Sequence, residues 1–312
     1  MSESVTLPSL KLEDLAGDSA RHRREKLVRA AFLGAATASV VISAAIVFSL
    51  IGRAVTFVTS VDLSALMSEG WFPRRGLYDL RTVIAGSFVI AGIAMLVATP
   101  LGLGAAVYLA EYARPGVRRV LKPIVEILAG IPSVVVGFFA ITFISPDVVR
   151  FFFPGASFFN MMAAGIGVGI LVTPLVASIS EDALRAIPQG LREAAYGLGA
   201  RKRTATLRVV FPAAISGIVA SLIVGVSRAI GETMVVAIAA GASGGSAFNL
   251  NPTEPGQTLT AAMTSLAIGS DQVKGQANTF ESLFFLGFLL FVMTLLLNVL
   301  SERFVRRVRQ VY

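Results

Sequence analysis

Six stretches of the chain are long and apolar enough to cross a lipid bilayer, and this limits the folds open to it. A hydrocarbon core of about 30 Å takes about 20 apolar residues per helix. The stretches run from Ala31 to Ile51, Val83 to Leu109, Ile124 to Ile144, Met161 to Ile179, Ala213 to Ala240 and Leu283 to Leu300. Lipid offers the backbone no hydrogen-bond partner, so segments of this kind satisfy their own N–H and C=O groups as α-helices. The reading is an all-α polytopic membrane protein of about six transmembrane helices. Pro100, two-thirds along the second span, predicts a kink there. Composition agrees: 55% of residues are hydrophobic and 15% charged, the latter well below the roughly 25% of soluble domains. An ordinary soluble enzyme and a disordered chain are both excluded.

A net charge of +8 over 312 residues would suggest nucleic acid in a soluble protein. The placement of the charges gives another reading. Between the spans lie loops at 52–82, 110–123, 145–160, 180–212 and 241–282. Alternate segments hold 20 Lys and Arg on one side and 6 on the other, with Arg228 left inside a span. Basic residues accumulate on the cytoplasmic side, which predicts that both termini are cytoplasmic. The expected organisation is a cytoplasmic basic tail over residues 1–30, a transmembrane domain over 31–304 and a cytoplasmic tail over 305–312. Residues 1–20 read as a flexible tail. The first span is too long for the apolar region of a secretory signal and lacks a small-residue cleavage site, so it reads as a retained anchor. The outer loop Gly241–Thr258, rich in Gly, Pro and Asn, reads as turns.

Several chemistries are absent from the sequence. With no Cys there is no disulfide, thiolate metal site or Cys nucleophile, and His22 in the N-terminal segment is the only His. None of the five Lys is followed by Ser or Thr, so no phosphate-cradling G-x-x-x-x-G-K-[ST] loop exists. H-E-x-x-H cannot occur with one His, and the G-x-S-x-G spacing occurs only within the Gly-rich outer loop at 241–245. An intramembrane hydrolase is poorly supported, and no metal or cofactor is expected on this chain.

The longest cytoplasmic loop, Glu181 to Pro212, is more helical than a linker needs to be. Pro188 can open a short helix that Glu193, Ala194 and Ala195 continue, and Gly197 and Gly199 permit a sharp change of direction. Arg201 to Val210 then forms a second, basic segment that Pro212 is expected to stop. Composition leaves two readings open: a helix pair lying near anionic headgroups, or a surface that another protein approaches closely over its small residues. Glu193-Ala194-Ala195, Gly199 and Pro212 in this spacing resemble the EAA motif of ABC-importer permeases, with Val209 and Phe211 as mild departures. The resemblance implies two short helices that dock in a cleft of a separate ATPase subunit and transmit its closure.

Other segments narrow the resemblance. Leu128-Ala129-Gly130-Ile131-Pro132-Ser133-Val134-Val135, Pro100-Leu101-Gly102 followed by Tyr108-Leu109-Ala110-Glu111-Tyr112, and Ser227-Arg228-Ala229-Ile230-Gly231-Glu232-Thr233-Met234 together resemble the permeases of phosphate-specific ABC importers. Met234 places the chain nearer the C-type than the A-type subunit. The resemblance implies a type I importer permease in a prokaryotic plasma membrane. The implied partners are a paralogous permease, two ATPase subunits that carry ATP and Mg²⁺, and an extracytoplasmic binding protein that delivers inorganic phosphate. The alternatives are a molybdate or sulfate permease of the same plan and an ion-coupled secondary transporter, which would leave the EAA pattern unexplained.

Arg228 and Glu232 stand inside the fifth span. A charge at mid-bilayer costs about 2.5–3.5 kcal/mol on insertion scales, so the two require a reason. On a continuous helix Gly217, Ser221, Gly225, Arg228 and Glu232 fall within about 80° of arc, a small-residue stripe with both charges on the packed side. One reading is an intrahelical Arg–Glu pair that fixes packing. The other is a substrate pathway formed by Arg228, Glu232, Ser227 and Thr233. In that pathway the guanidinium grips an oxyanion bidentately, and Glu232 accepts a hydrogen bond from protonated phosphate but not from sulfate. In the phosphate permeases it resembles, the Arg and Glu of this motif are regarded as important for transport.

Weaker candidates have plainer readings. Glu126 is expected one turn inside the third span, snorkelling or paired with Lys122. Gly165 and Gly169 read as helix packing. Trp71 with Arg74 and Arg75 reads as an interfacial anchor or, less simply, a contact for the binding protein. Thr99, Ser133 and Thr173 line a path or satisfy carbonyls freed by the neighbouring prolines.

Overall fold

A computed structural model describes residues 19–241, 245–268 and 278–308. The expected tail up to residue 18, Lys274, part of the Gly241–Thr258 loop and residues 309–312 lie outside the described residues. Two compact units are present, Met1–Leu50 and Ile51–Tyr312, each described by itself. Helix α1 runs from Ser19 to Ser60, and its part up to Leu50, in the first unit, carries apolar side chains on all sides. Leu27, Phe32, Val40 and Phe48 are among those exposed. A helix apolar all round and unburied by protein belongs in lipid.

In the second unit three short antiparallel strands, β1 (Gly70–Phe72), β2 (Leu77–Tyr78) and β3 (Ser246–Ala247), form a sheet in the order β2-β1-β3. Helix α2 follows, α-helical over Leu80–Val107 and closed by a π turn over Tyr108–Tyr112. Asp79 starts it, its carboxylate accepting from the Arg81 backbone N–H and from Thr82 Oγ1 at 2.7 Å. The helix passes through Pro100 without interruption.

The third span differs from its sequence expectation of Ile124 to Ile144. Residues Pro115–Leu128 form a separate helix, α3, with no buried residue. The span itself is α4, Ser133–Phe152, whose middle over Ala140–Val149 is π-helical. Pro132 supplies the break: it donates no N–H and disfavours helical backbone at Ile131. The apolar stripe of amphipathic α3 resembles the start of a span in a hydropathy average. Glu126 therefore lies on α3 and not inside a span. Lys122 pairs with Glu181 and Asp182 instead.

Helix α5, Met161–Arg185, extends six residues past the expected end, so Glu181 stands on a helix and not in a loop. Asn160 caps it, accepting from the Ala163 N–H at 2.7 Å. Helix α6 covers Gln189–Gly197 and α7 Lys202–Ala213. Helix α8, Ile215–Ile230, leaves α7 at a bend of 69°. A break at Gly231–Thr233 precedes α9, Met234–Ala239, and α10 (Leu259–Ile268) and α11 (Thr279–Val308) complete the unit. The fifth span is thus not one helix over 213–240. Pro212 does not stop α7; a π turn at Thr206–Val210 absorbs the missing hydrogen bond and the chain bends two residues later. Among the described residues, five helices are long and apolar enough to cross a membrane, six when the bent pair counts as one span.

Three cores hold this unit together among the described residues, one of them packing Ala106 and Leu184 against Val210, Ala214 and Ile218. The largest joins α2, α4, α5, α8, α9 and α10. Its densest seam is α2 on α5, where a Cβ on Gly169 would lie 2.7 Å from Val97 Cβ and 2.8 Å from the Ala94 carbonyl oxygen. The second core surrounds the sheet. Phe57 meets Tyr78 edge-on at 5.0 Å and Trp71 meets Tyr78 at 5.8 Å. Trp71 is 1% exposed, so it is a core residue and not the interfacial anchor its neighbours suggested. Arg74 and Arg75 remain exposed, with Arg75 over the Phe72 ring. The outer loop is not turns alone: it supplies strand β3, and turns follow in which Asn249 and Asn251 side chains accept from backbone N–H groups two residues on.

The seam gives a direct prediction. Gly169→Val should cost about 1–3 kcal/mol through overpacking, lowering the melting midpoint of the solubilised chain. Gly34→Ala, with open space around the added methyl, should not lower it.

Candidate functional site

The charged residues of interest fall into two places. The first is the end of α8. Ser221 and Gly225 face α5, with Ser221 Oγ 2.6 Å from Ser180 Oγ and Gly225 against Val176. The small-residue stripe is therefore a packing surface, as its spacing suggested. Arg228 follows this stripe near the end of α8 and is exposed. Among the described residues it forms no ion pair and no hydrogen bond. Ser227 Oγ donates to Asn298 Oδ1 of α11 at 3.3 Å. Asn298 escaped the sequence reading, although a single amide in the run Leu295-Leu296-Leu297-Asn298-Val299-Leu300 is a visible irregularity.

Glu232 does not continue the helical arc. Helix α8 ends at Ile230, so the i,i+4 geometry of an Arg228–Glu232 pair is lost and no such pair forms among the described residues. Gly231 ends the helix, and the chain turns Glu232 inward until it is only 6% exposed. Its Oε1 accepts from the N–H groups of Met234 at 3.2 Å and Val235 at 3.5 Å, supplying acceptors to the start of α9. Its backbone carbonyl accepts from Thr260 Oγ1 at 2.7 Å, and Thr260 Oγ1 lies 3.0 Å from Thr258 Oγ1. Thr233 Oγ1 donates to the Gly231 carbonyl. The break is thus held from outside by α10 and its preceding strand of loop. Thr173 Oγ1 donates to the Gly169 carbonyl one turn back on its own helix. Thr99 and Ser133 make no hydrogen bond among the described residues.

The second place is α6 with its surroundings. Glu193 and Ala194 are exposed, Leu198 is 90% exposed, and Ala195 is turned inward. Gly199 has φ +79°, the left-handed backbone that reverses the chain between α6 and α7. Pro212 lies apart from these residues, at the far end of α7. A buried arginine fixes the helix: Arg192 Nη2 donates to Glu111 Oε1 at 2.8 Å and to the Leu184 carbonyl, while Nη1 donates to the Ile187 carbonyl at 2.7 Å. Glu111 belongs to the π turn that ends α2, 81 residues away. A second buried acid, Glu181, accepts from Arg118 Nε at 2.8 Å and pairs with Lys122 Nζ at 2.9 Å, which fastens α3 to α5. The hydrogen bond to Asp182 holds the Lys122 ammonium above its usual 10.5, with Glu181 adding to the effect.

Removing one member of a buried pair strands the other charge and costs about 3–5 kcal/mol. Glu111→Gln and Arg192→Met should each destabilise the chain strongly. The double variant Glu111→Met/Arg192→Met should lose less than the sum of the two singles, and thermal unfolding across the four-protein cycle measures this.

Residues 98–310 match the family described as "Binding-protein-dependent transport system inner membrane component". The chain is 30% identical over 296 residues to the probable ABC transporter permease protein YqgH of Bacillus subtilis, covering 91% of this chain and 94% of the relative. It is 32% identical over 257 residues to the phosphate transport system permease protein PstC 1 of Mycobacterium tuberculosis, covering 76% of this chain and 75% of that one. Among solved structures, a bacterial alginate ABC transporter superposes with a TM-score of 0.64 at 17% identity, covering 92% of this chain and 96% of the other. The methionine transporter MetNI in an inward-facing form gives 0.53 at 22% identity, covering 74% and 94%. At these identities the structures establish the shared fold.

Proposed function

We propose that this chain, which belongs to the binding-protein-dependent transport system inner membrane components, carries inorganic phosphate across the membrane. It is a non-catalytic permease subunit of an ABC importer, a multi-helix inner-membrane protein. The observation that carries the phosphate reading is Arg228. It is exposed and without an acid partner among the described residues, in an otherwise apolar helix and beside a helix break. An unneutralised guanidinium in a span calls for an anion. Relatives named as phosphate transport permeases support the choice of anion.

In this reading Arg228, Ser227, Glu232 and Thr233 line the pathway. Glu232 Oε1 is held by two backbone N–H groups, and its other oxygen accepts a hydrogen bond from protonated phosphate, which sulfate lacks. A paralogous permease completes the cavity, and an extracytoplasmic binding protein delivers the anion. Two ATPase subunits bind ATP and Mg²⁺ and act on the exposed face of α6, including Glu193 and Ala194, with Ala195, Gly199 and Pro212 shaping the lever behind it. Both termini are cytoplasmic, as the distribution of 20 basic residues against 6 indicates.

Uptake by the assembled transporter tests the reading. Arg228→Lys keeps the charge but loses the planar fork, and should lower phosphate uptake at least about tenfold if one bidentate contact worth about 1.5–3 kcal/mol is lost; undiminished uptake would reduce Arg228 to a point charge. Glu232→Gln should erode the preference for phosphate over sulfate, and an unchanged preference removes Glu232 from selectivity.

A further inference from the structure

Away from the α8–α9 break, a cleft of about 420 Å³ opens between the end of α2, the start of α3 and α6. Arg118, Arg185, Gln189, Arg192, Tyr196 and Lys202 line it, with Glu111 the one acid on its wall. Two of the four cations are already committed. Arg192 is spent on Glu111 and two carbonyls, and Arg118 on buried Glu181. The other two are held only by longer-range contacts. Arg185 lies 3.9 Å from Glu181 and donates no hydrogen bond among the described residues. Lys202 rests over the Tyr112 ring at 5.1 Å and forms no ion pair among them. The Gln189 amide and the Tyr196 hydroxyl are likewise uncommitted there. Four cations against Glu111 and Glu181 leave a net positive cleft with four unused donor groups facing one space.

Gln189, Arg192 and Tyr196 lie within about 60° of arc on α6, with Glu193 flanking them about 40° from Gln189 and Ala194 on the opposite side. A partner seated on the Ala194 side of α6 would therefore leave the cleft open. We infer that the cleft is a binding site for a phosphate-type oxyanion, either inorganic phosphate or the headgroup phosphate of an anionic lipid. Arg185 and Lys202 hold the charge, with Gln189 and Tyr196 donating to the remaining oxygens. An anion there ties α5, α6 and α7 to one another across the turn at Gly199. The inference does not depend on which substrate crosses at Arg228.

The chain has no cysteine, so a single Ala113→Cys in the cleft wall gives a clean reporter. The full-length chain is placed in phosphatidylcholine nanodiscs and its labelling by N-ethylmaleimide is timed. Inorganic phosphate at ten times its half-protecting concentration should slow labelling about tenfold by simple occupancy. Protection that vanishes with Arg185→Gln/Lys202→Gln and survives Arg228→Lys supports the site, with free phosphate as its ligand. If phosphate is without effect but phosphatidylglycerol nanodiscs slow labelling, and the double substitution restores the rate, the site stands with a lipid headgroup as its ligand. The inference is overturned if neither anion source protects, if protection persists in the double variant, or if Arg228→Lys abolishes it. Size-exclusion profiles confirm that each variant is folded. Because the readout is labelling and not uptake, its failure is separable from failure of the phosphate-transport reading.

Discussion

The seam between α2 and α5 is the contact on which the rest of the second unit depends. Within lipid there is no hydrophobic gain from bringing two apolar helices together, so association rests on close packing and a few hydrogen bonds. Gly165 and Gly169 remove the side chains that would hold the backbones apart, and Ile93 and Val97 fill the space. Helix α5 then presents its other sides to α8, through Ser180 and Ser221, and to α4 and α9 through Gly167. A helix packed on several sides can be rigid while its neighbours are broken, and the breaks occur in those neighbours.

Those breaks are where reading the sequence succeeded least. Spans are legible because hydropathy sums over about 20 residues, and the same averaging conceals a three- or four-residue interruption. Pro132 and Pro212 were visible, but each acted differently from its simplest reading. Pro132 separated an amphipathic helix from a span, and Pro212 sat within a helix whose strain was relieved by a π turn before it and a bend after it. Glycine 231 was equally visible, yet treating 213–240 as one helix placed Glu232 on the same face as Arg228. Once the helix ends, the two side chains are unrelated by any periodicity.

The site divides along similar lines. The EAA-like segment was legible because its small residues and its glycine stand at a fixed local spacing, and Gly199 adopts the left-handed turn. Arg228 was legible because any charge in an apolar span demands explanation. The anchoring of α6 was not. Arg192 appeared only as one more basic residue of the loop, and its partner Glu111 is 81 residues away on an element with no local mark of the pairing. Trp71 was misread for the same reason: the hydrophobic cluster that buries it includes Phe57, Tyr78 and Leu286, brought together only by the fold. Pairings between distant segments leave no periodic trace in a single sequence.

The 69° bend between α7 and α8 has a mechanical consequence. Two rigid arms meeting at a fixed angle behave as a crank: a push along one arm emerges as a swing of the other. At about 1.5 Å per residue, Arg228 stands about 21 Å from the pivot at Ala214. Each degree of rotation there therefore carries the guanidinium about 0.4 Å sideways. A displacement of the loop too small to alter its own contacts is enlarged at the far end, and its direction is across the helix axis instead of along it.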